Sequence, residues 1–64
     1  MRDTILKILR TGPRQTRVIQ QILEYDYQDK YNVAQVRRRL KQMENEGIVI
    51  STKLSQNQMQ WSIA

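Results

Sequence analysis

The chemistry available to this chain rests on cations and side-chain amides. Arg37, Arg38, Arg39 and Lys41 share one short stretch with Gln35 and Gln42, NVAQVRRRLKQMENEG from Asn32 to Gly47. Arg14 and Arg17, with Thr16 beside them, form a second basic group upstream, and Lys53 follows downstream. Guanidinium and ammonium groups hold anions, and guanidinium and amide edges match the hydrogen-bonding edges of bases. The whole chain has 64 residues, with Lys and Arg numbering 11 against 6 Asp and Glu, a net charge of +5. Such a balance favours a polyanionic partner: DNA, RNA or an acidic membrane surface.

Other chemistries lack their groups. Cysteine and histidine are both absent, which removes disulfides, thiol nucleophiles, thiolate zinc sites and imidazole acid–base catalysis. The acidic residues have no calcium-loop spacing, so no metal is expected. Glu24 and Asp26, like Glu44 and Glu46, are two apart, and residues two apart on a helix do not face each other. There is no glycine-rich phosphate loop and no nucleophile–base set, so neither an enzyme nor a cofactor is expected. No apolar run approaches the roughly 20 residues of a membrane span, and no helix offers the large exposed apolar face that binds an anionic membrane surface. The first residues, MRDTILKILRTG, have too short an apolar part for a secretory signal. The expectation is a soluble cytoplasmic protein with no small-molecule ligand.

The elements that must position these groups follow from local rules. Asn32 is a good helix N-cap, and Gln35 is placed to return a hydrogen bond to it, with Tyr31 and Val36 as a hydrophobic staple. At the other end Gly47 can take the left-handed conformation and let Ile48 pack back on Met43. Between them Val33, Val36, Leu40 and Met43 form one apolar stripe at helical spacing. The opposite side carries Ala34, Gln35, Arg38, Lys41 and Gln42, flanked by Arg37 and Arg39. A DNA major groove accepts a capped helix with one dry seam and one basic, amide-bearing face. Upstream, Asp3 to Arg10 reads as a first helix capped by Asp3. Pro13 suits the first position of a second helix running to about Tyr25, with Val18, Ile19, Ile22 and Leu23 inward. Asp26 to Tyr31 is a polar connection.

After Gly47 the period becomes alternating. Ile48, Ile50, Thr52 and Leu54 share one parity, and Met59, Trp61 and Ile63 another. Pairing Leu54 with Met59, Thr52 with Trp61 and Ile50 with Ile63 puts the large apolar groups on one sheet face. Trp61 then belongs to the core rather than to a stacking platform, so single-stranded nucleic acid is disfavoured. The tip around Gln56 and Asn57 lacks an Asn-Gly pair, which leaves a two-residue turn and a four-residue loop both open. The expected architecture is one domain over 1–64, mainly α with a C-terminal β-hairpin.

Helix, helix, capped basic helix and hairpin in this order resemble the winged helix-turn-helix family. The segment VAQVRRRLKQMENEGIV is similar to the family's pattern of Val, Leu, an apolar residue and Gly at fixed spacing, and Trp61 stands where an aromatic closes the wing against the core. Two departures stand out: RTGP leaves little room for a short strand between the first two helices, and the tip has no Arg. The resemblance implies three helices plus a wing, with the third helix as the recognition helix in the major groove of double-stranded DNA. It implies base contacts from Gln35, Arg38, Lys41 and Gln42. Phosphate contacts would come from Arg14, Thr16, Arg17, Arg37, Arg39 and Lys53, with the wing tip Gln56, Asn57 and Gln58 along the neighbouring backbone. It further implies transcriptional regulation, with a homodimer or a partner protein on adjacent half-sites, in the cytoplasm or on the nucleoid of a bacterium. The alternative is a winged-helix module that binds another protein in a larger assembly. Such a module would expose apolar anchors on the third helix, and a DNA binder would not.

Overall fold

The computed structural model covers residues 1–64. Along the chain it forms α1 (Arg2–Arg10), β1 (Arg14–Gln15), α2 (Thr16–Asp26), α3 (Val33–Asn45), β2 (Val49–Ser55) and β3 (Gln58–Ile63). The third helix is built as its sequence dictates. Asn32 Oδ1 accepts from the Gln35 N–H at 2.8 Å, and Gln35 Oε1 accepts from the Asn32 N–H at 2.9 Å, a complete capping box. Tyr31 packs against the core beside this turn. At the exit Gly47 adopts φ +77°. Its N–H donates to Glu44 O and that of Ile48 to Met43 O, both at 3.0 Å, so two carbonyls of the last turn are satisfied in a Schellman arrangement.

The first two helices depart from their expected starts. Helix α1 has Met1 at its N-cap position with no side-chain cap, and Asp3 sits in its first turn rather than at the cap. Thr11 ends it, its hydroxyl donating to Ile8 O at 2.6 Å. Pro13 does not open α2. The chain after it extends into β1, and α2 begins only at Thr16. Two residues suffice for this strand because it leans on a neighbour: Arg14 pairs with Trp61 and Gln15 with Gln60. The short strand for which RTGP left little room is therefore present.

The sheet has the order β1-β3-β2, all antiparallel, so β3 is its middle strand. The hairpin register differs by one residue from the expected pairing. Val49 pairs with Ile63, Ser51 with Trp61 and Lys53 with Met59. Val49 is therefore inward and 1% exposed, while Ile50 and Leu54 face out at 49% and 48%. The reason lies at both ends of β2. Ile48 is used in the helix exit before the strand begins, and a bulge between Lys53 and Ser55 breaks the parity on which Leu54 was matched to Met59. Ser55 pairs with Gln58 across a two-residue turn at Gln56 and Asn57, neither of which has positive φ.

One core joins all layers. Ile5, Ile8 and Leu9 of α1, Ile19 and Leu23 of α2, Val36, Leu40 and Met43 of α3, and Val49 and Trp61 of the sheet form a single buried cluster containing no polar residue. No helix is long and apolar enough to cross a membrane. The observed register makes a direct prediction. Val49→Ala should cost about 2 kcal/mol in urea denaturation, since it removes two buried carbons and leaves a void. Ile50→Ala should stay within about 0.5 kcal/mol. The reverse order would restore the even-numbered residues to the core.

Candidate nucleic-acid interface

Two N-termini of helices reach the same side of the molecule in different states. The first turn of α3 is closed by its capping box. That of α2 follows Gln15, which makes no side-chain cap, so the first N–H groups of α2 have no side-chain acceptor. Between the start of α2, the start of α3 and the hairpin lies a groove of about 680 Å³. Thr16, Arg17, Val33, Arg37, Lys53, Gln56, Asn57, Gln58 and Met59 line it, together with Gln15. The structure thus brings together Thr16, Arg17, Arg37, Lys53 and the three residues of the wing tip, which are scattered over more than forty positions of sequence. Helix α3 supplies Arg37 because that position flanks the buried Val36–Leu40 stripe on the hairpin side.

The other residues of α3 are arranged differently. Gln35, Arg38, Arg39 and Gln42 border a smaller depression of about 250 Å³ with Met1 and Tyr31. Arg37 and Arg39 therefore stand on opposite sides of the helix, as adjacent-but-one residues about 200° apart must. Lys41 is exposed and borders neither depression. Arg14 borders neither as well: it lies in β1, and its guanidinium folds back to Pro13 O at 2.9 Å and Thr11 Oγ1 at 3.2 Å. This occupies part of the donor set expected for a phosphate. Gln35 is also partly committed. Its Oε1 accepts from the Asn32 N–H in the capping box, which fixes the direction of the amide and leaves one Oε1 lone pair and the Nε2 donors for a base.

Electrostatically the surface is unbalanced. The single ion pair is Arg2 with Glu46, 3.2 Å apart and exposed. Arg17, Arg37, Arg38, Arg39, Lys41 and Lys53 have no carboxylate partner. Glu44, the acidic residue nearest in sequence to Lys41 on α3, accepts from Ser51 Oγ at 2.5 Å and ties the helix to β2. No cluster of metal-ligating side chains is present.

Two features escaped sequence reasoning. Gln15 lines the groove but has no pattern around it that marks it. The Trp61 indole Nε1 donates to Thr16 Oγ1 at 2.8 Å. A buried indole N–H is bound to need an acceptor, but the sequence does not say which one, 45 positions away.

No family model matches the chain, and no curated protein matches it in sequence. Solved structures do. RosR of H. salinarum superposes with a TM-score of 0.87 at 23% identity, covering 95% of this chain and 56% of that one. RosR in the complex called RosR-SG gives 0.89 at 22% identity over 97% and 55%. PadR of Bacillus subtilis, in complex with operator DNA, gives 0.84 at 18% identity over 95% and 38%. The chain spans about half the length of the RosR chains and less of PadR. At these identities the likeness is one of fold, and the fold it establishes is the winged helix-turn-helix shared with RosR and PadR.

Proposed function

We propose that this domain binds double-stranded DNA and regulates transcription, with α3 in the major groove and the β2–β3 hairpin as the wing. The observation that carries this reading is the convergence of un-neutralised cations and amides from three elements on one groove: Arg17 of α2, Arg37 of α3, Lys53 of β2 and the wing-tip amides. A sugar–phosphate strand is the polyanion of matching chemistry, held by Arg17, Arg37, Lys53, the Thr16 hydroxyl and the uncapped N–H groups of α2. Arg39 holds the opposite strand. Arg14 contributes only if its guanidinium leaves Thr11. Arg38, Lys41 and Gln42 reach base edges, and Gln35 adds its Nε2 donors from an amide already directed by the cap. The wing tip follows the neighbouring backbone. PadR, which shares the fold, was solved with operator DNA, and this supports the reading.

A single domain contacts few bases, so tight binding calls for a second copy or a partner protein on an adjacent half-site. The work of such a protein is occupancy of a control site, in the cytoplasm, or on the nucleoid if the source is bacterial. The protein-partner alternative rests on exposed apolar residues, but Tyr25, Tyr27, Ile50, Leu54 and Ile63 all lie outside α3. The outer side of α3 offers no apolar anchor to a protein.

Selection of bound sequences from a random duplex pool tests the proposal. A recovered motif is expected, and a pool indistinguishable from the input would count against sequence-dependent binding. Log affinity for the selected site should fall with log salt at a slope of roughly −4 to −5 if about four to six phosphates are neutralised. A flat response would mean that the basic face does not bind.

Individual residues should differ in kind. Arg38→Ala should cost about 1–3 kcal/mol on the preferred site and relax one base position. Arg37→Ala should weaken all duplexes alike and reduce the salt slope by about one unit. If Arg37→Ala alters base preference and Arg38→Ala does not, the helix is rotated from this assignment.

Gln35→Glu keeps a capping-box residue at its position while removing the free amide donor. Its melting transition should hardly move, whereas preference at one base should change. An unchanged preference would remove Gln35 from the base-reading set.

A further inference from the structure

The Trp61–Thr16 hydrogen bond lies between the core and the groove. Trp61 is fully buried on the middle strand, and Thr16, the first residue of α2, borders the groove beside Arg17, Arg37 and Lys53. The indole Nε1 donates to Thr16 Oγ1 at 2.8 Å. A hydroxyl has one proton and two acceptor lone pairs. Trp61 takes up one lone pair, and the Thr16 proton has no acceptor within the protein. An indole has no acceptor to offer in return, so the hydroxyl is polarised toward donating, and the proton is left for a group in the groove.

We propose that Trp61 is a positioning residue for DNA binding: its indole N–H fixes the Thr16 hydroxyl as a donor to one phosphate oxygen in the groove. This rests on the reading of the groove as a DNA-backbone site. Three features support it. Cations at this groove have no intramolecular carboxylate, so an anion is the group that complements them. The donor is neutral, so it adds direction where Arg17, Arg37 and Lys53 add charge. And Trp61 sits on the strand that pairs with both β1 and β2, so one side chain aligns the start of α2 with the base of the wing.

A neutral hydroxyl releases no counterion, and this gives the test a readout that general disruption of the groove would not share. The probe is a random-sequence duplex titrated over a range of salt concentrations with the full chain and with Thr16→Ser, Thr16→Val, Trp61→Phe and the Trp61→Phe/Thr16→Val double variant. Arg17→Ala serves as the charge control. Thr16→Ser should bind like the parent. Thr16→Val and Trp61→Phe should each weaken binding about tenfold, the scale of one hydrogen bond to a charged group. Their plots of log affinity against log salt should run parallel to the parent's, while Arg17→Ala lowers the slope. The double variant should be no weaker than Thr16→Val alone.

Full affinity in Thr16→Val, or in a folded Trp61→Phe, would overturn the proposal, as would a changed slope in either. Should Trp61→Phe fail to fold, the parent protein decides the matter. Exchange of the Trp61 indole proton with solvent, followed by NMR, should slow when the duplex is added. Unchanged or faster exchange would mean that the bond is not used in the complex. Failure of the parent and of Arg17→Ala to show any salt-dependent binding would instead remove the DNA reading itself.

Discussion

The seat of Trp61 governs the rest of this structure. Its strand lies between β1 and β2, opposite Arg14 on one side and Ser51 on the other. Its ring is wholly buried among residues from all three helices and β2. In a chain of 64 residues a single core is marginal, and a tryptophan supplies a large share of the apolar area such a core can bury. Its N–H would cost about 1–3 kcal/mol if left without an acceptor, and Thr16 removes that cost. The hairpin is thus part of the core, not an appendage to it. Where the wing stands relative to α2 and α3, and so how wide the groove between them is, follows from how this one ring is held.

The two N-termini beside the groove then take different roles. Helix α3 satisfies its own ends, with a capping box at Asn32 and Gln35 and a Schellman exit at Gly47 and Ile48. It can therefore carry Arg37 and Arg38 beside Lys41, at helical i,i+4 and i,i+3 spacing, without relying on a bound anion to hold its shape. Each cap of this kind contributes roughly 0.5–2 kcal/mol, which is enough to offset these two exposed like-charge pairs at a few tenths each. Helix α2 leaves its first donors uncapped, held by core contacts at Ile19 and Leu23 instead. Stability is drawn from local hydrogen bonding in one helix and from burial in the other, and the uncapped end is the one beside Arg17 and the wing.

What was legible in the sequence was what local rules decide. The limits of α3 could be read because cap, staple, stripe and exit all lie within a few residues of one another. The wing was legible as a hairpin but not in its register. Ile48, Val49 and Ile50 are apolar at both parities, so alternation alone cannot choose between them; the helix exit takes Ile48, and the bulge before Ser55 displaces Leu54. Strand β1 was not legible, since two residues carry no period and its existence depends on Trp61 and Gln60 across the sheet. The same holds for the candidate site. Arg17, Arg37 and Lys53 could be picked out by type, but their meeting in one groove depends on tertiary structure. The recruitment of Arg14 to the turn at Thr11 is a competing hydrogen bond that residue type does not reveal, whereas the use of Gln35 in the cap was readable from its place three residues after Asn32.

In the proposed complex these competitions set how the domain divides its effort between backbone and bases. The backbone clamp draws on groups close to the core: the Thr16 hydroxyl bound to Trp61 and the first turn of α2. Such groups are largely immobile before binding, so they lose little conformational freedom when a phosphate arrives. The base readers are Arg38, Lys41 and Gln42, long exposed side chains that each lose about 1–2 kcal/mol of rotamer freedom on being fixed. Gln35, the one amide among them already held, is held by the cap. Position on the duplex thus draws partly on rigid groups, with Arg17, Arg37, Arg39 and Lys53 adding charge from exposed side chains, whereas sequence is read by flexible side chains. A domain built this way would find the backbone readily and discriminate modestly. Its selectivity would then come from setting two copies, or a copy and a partner, at a fixed spacing rather than from more contacts within one.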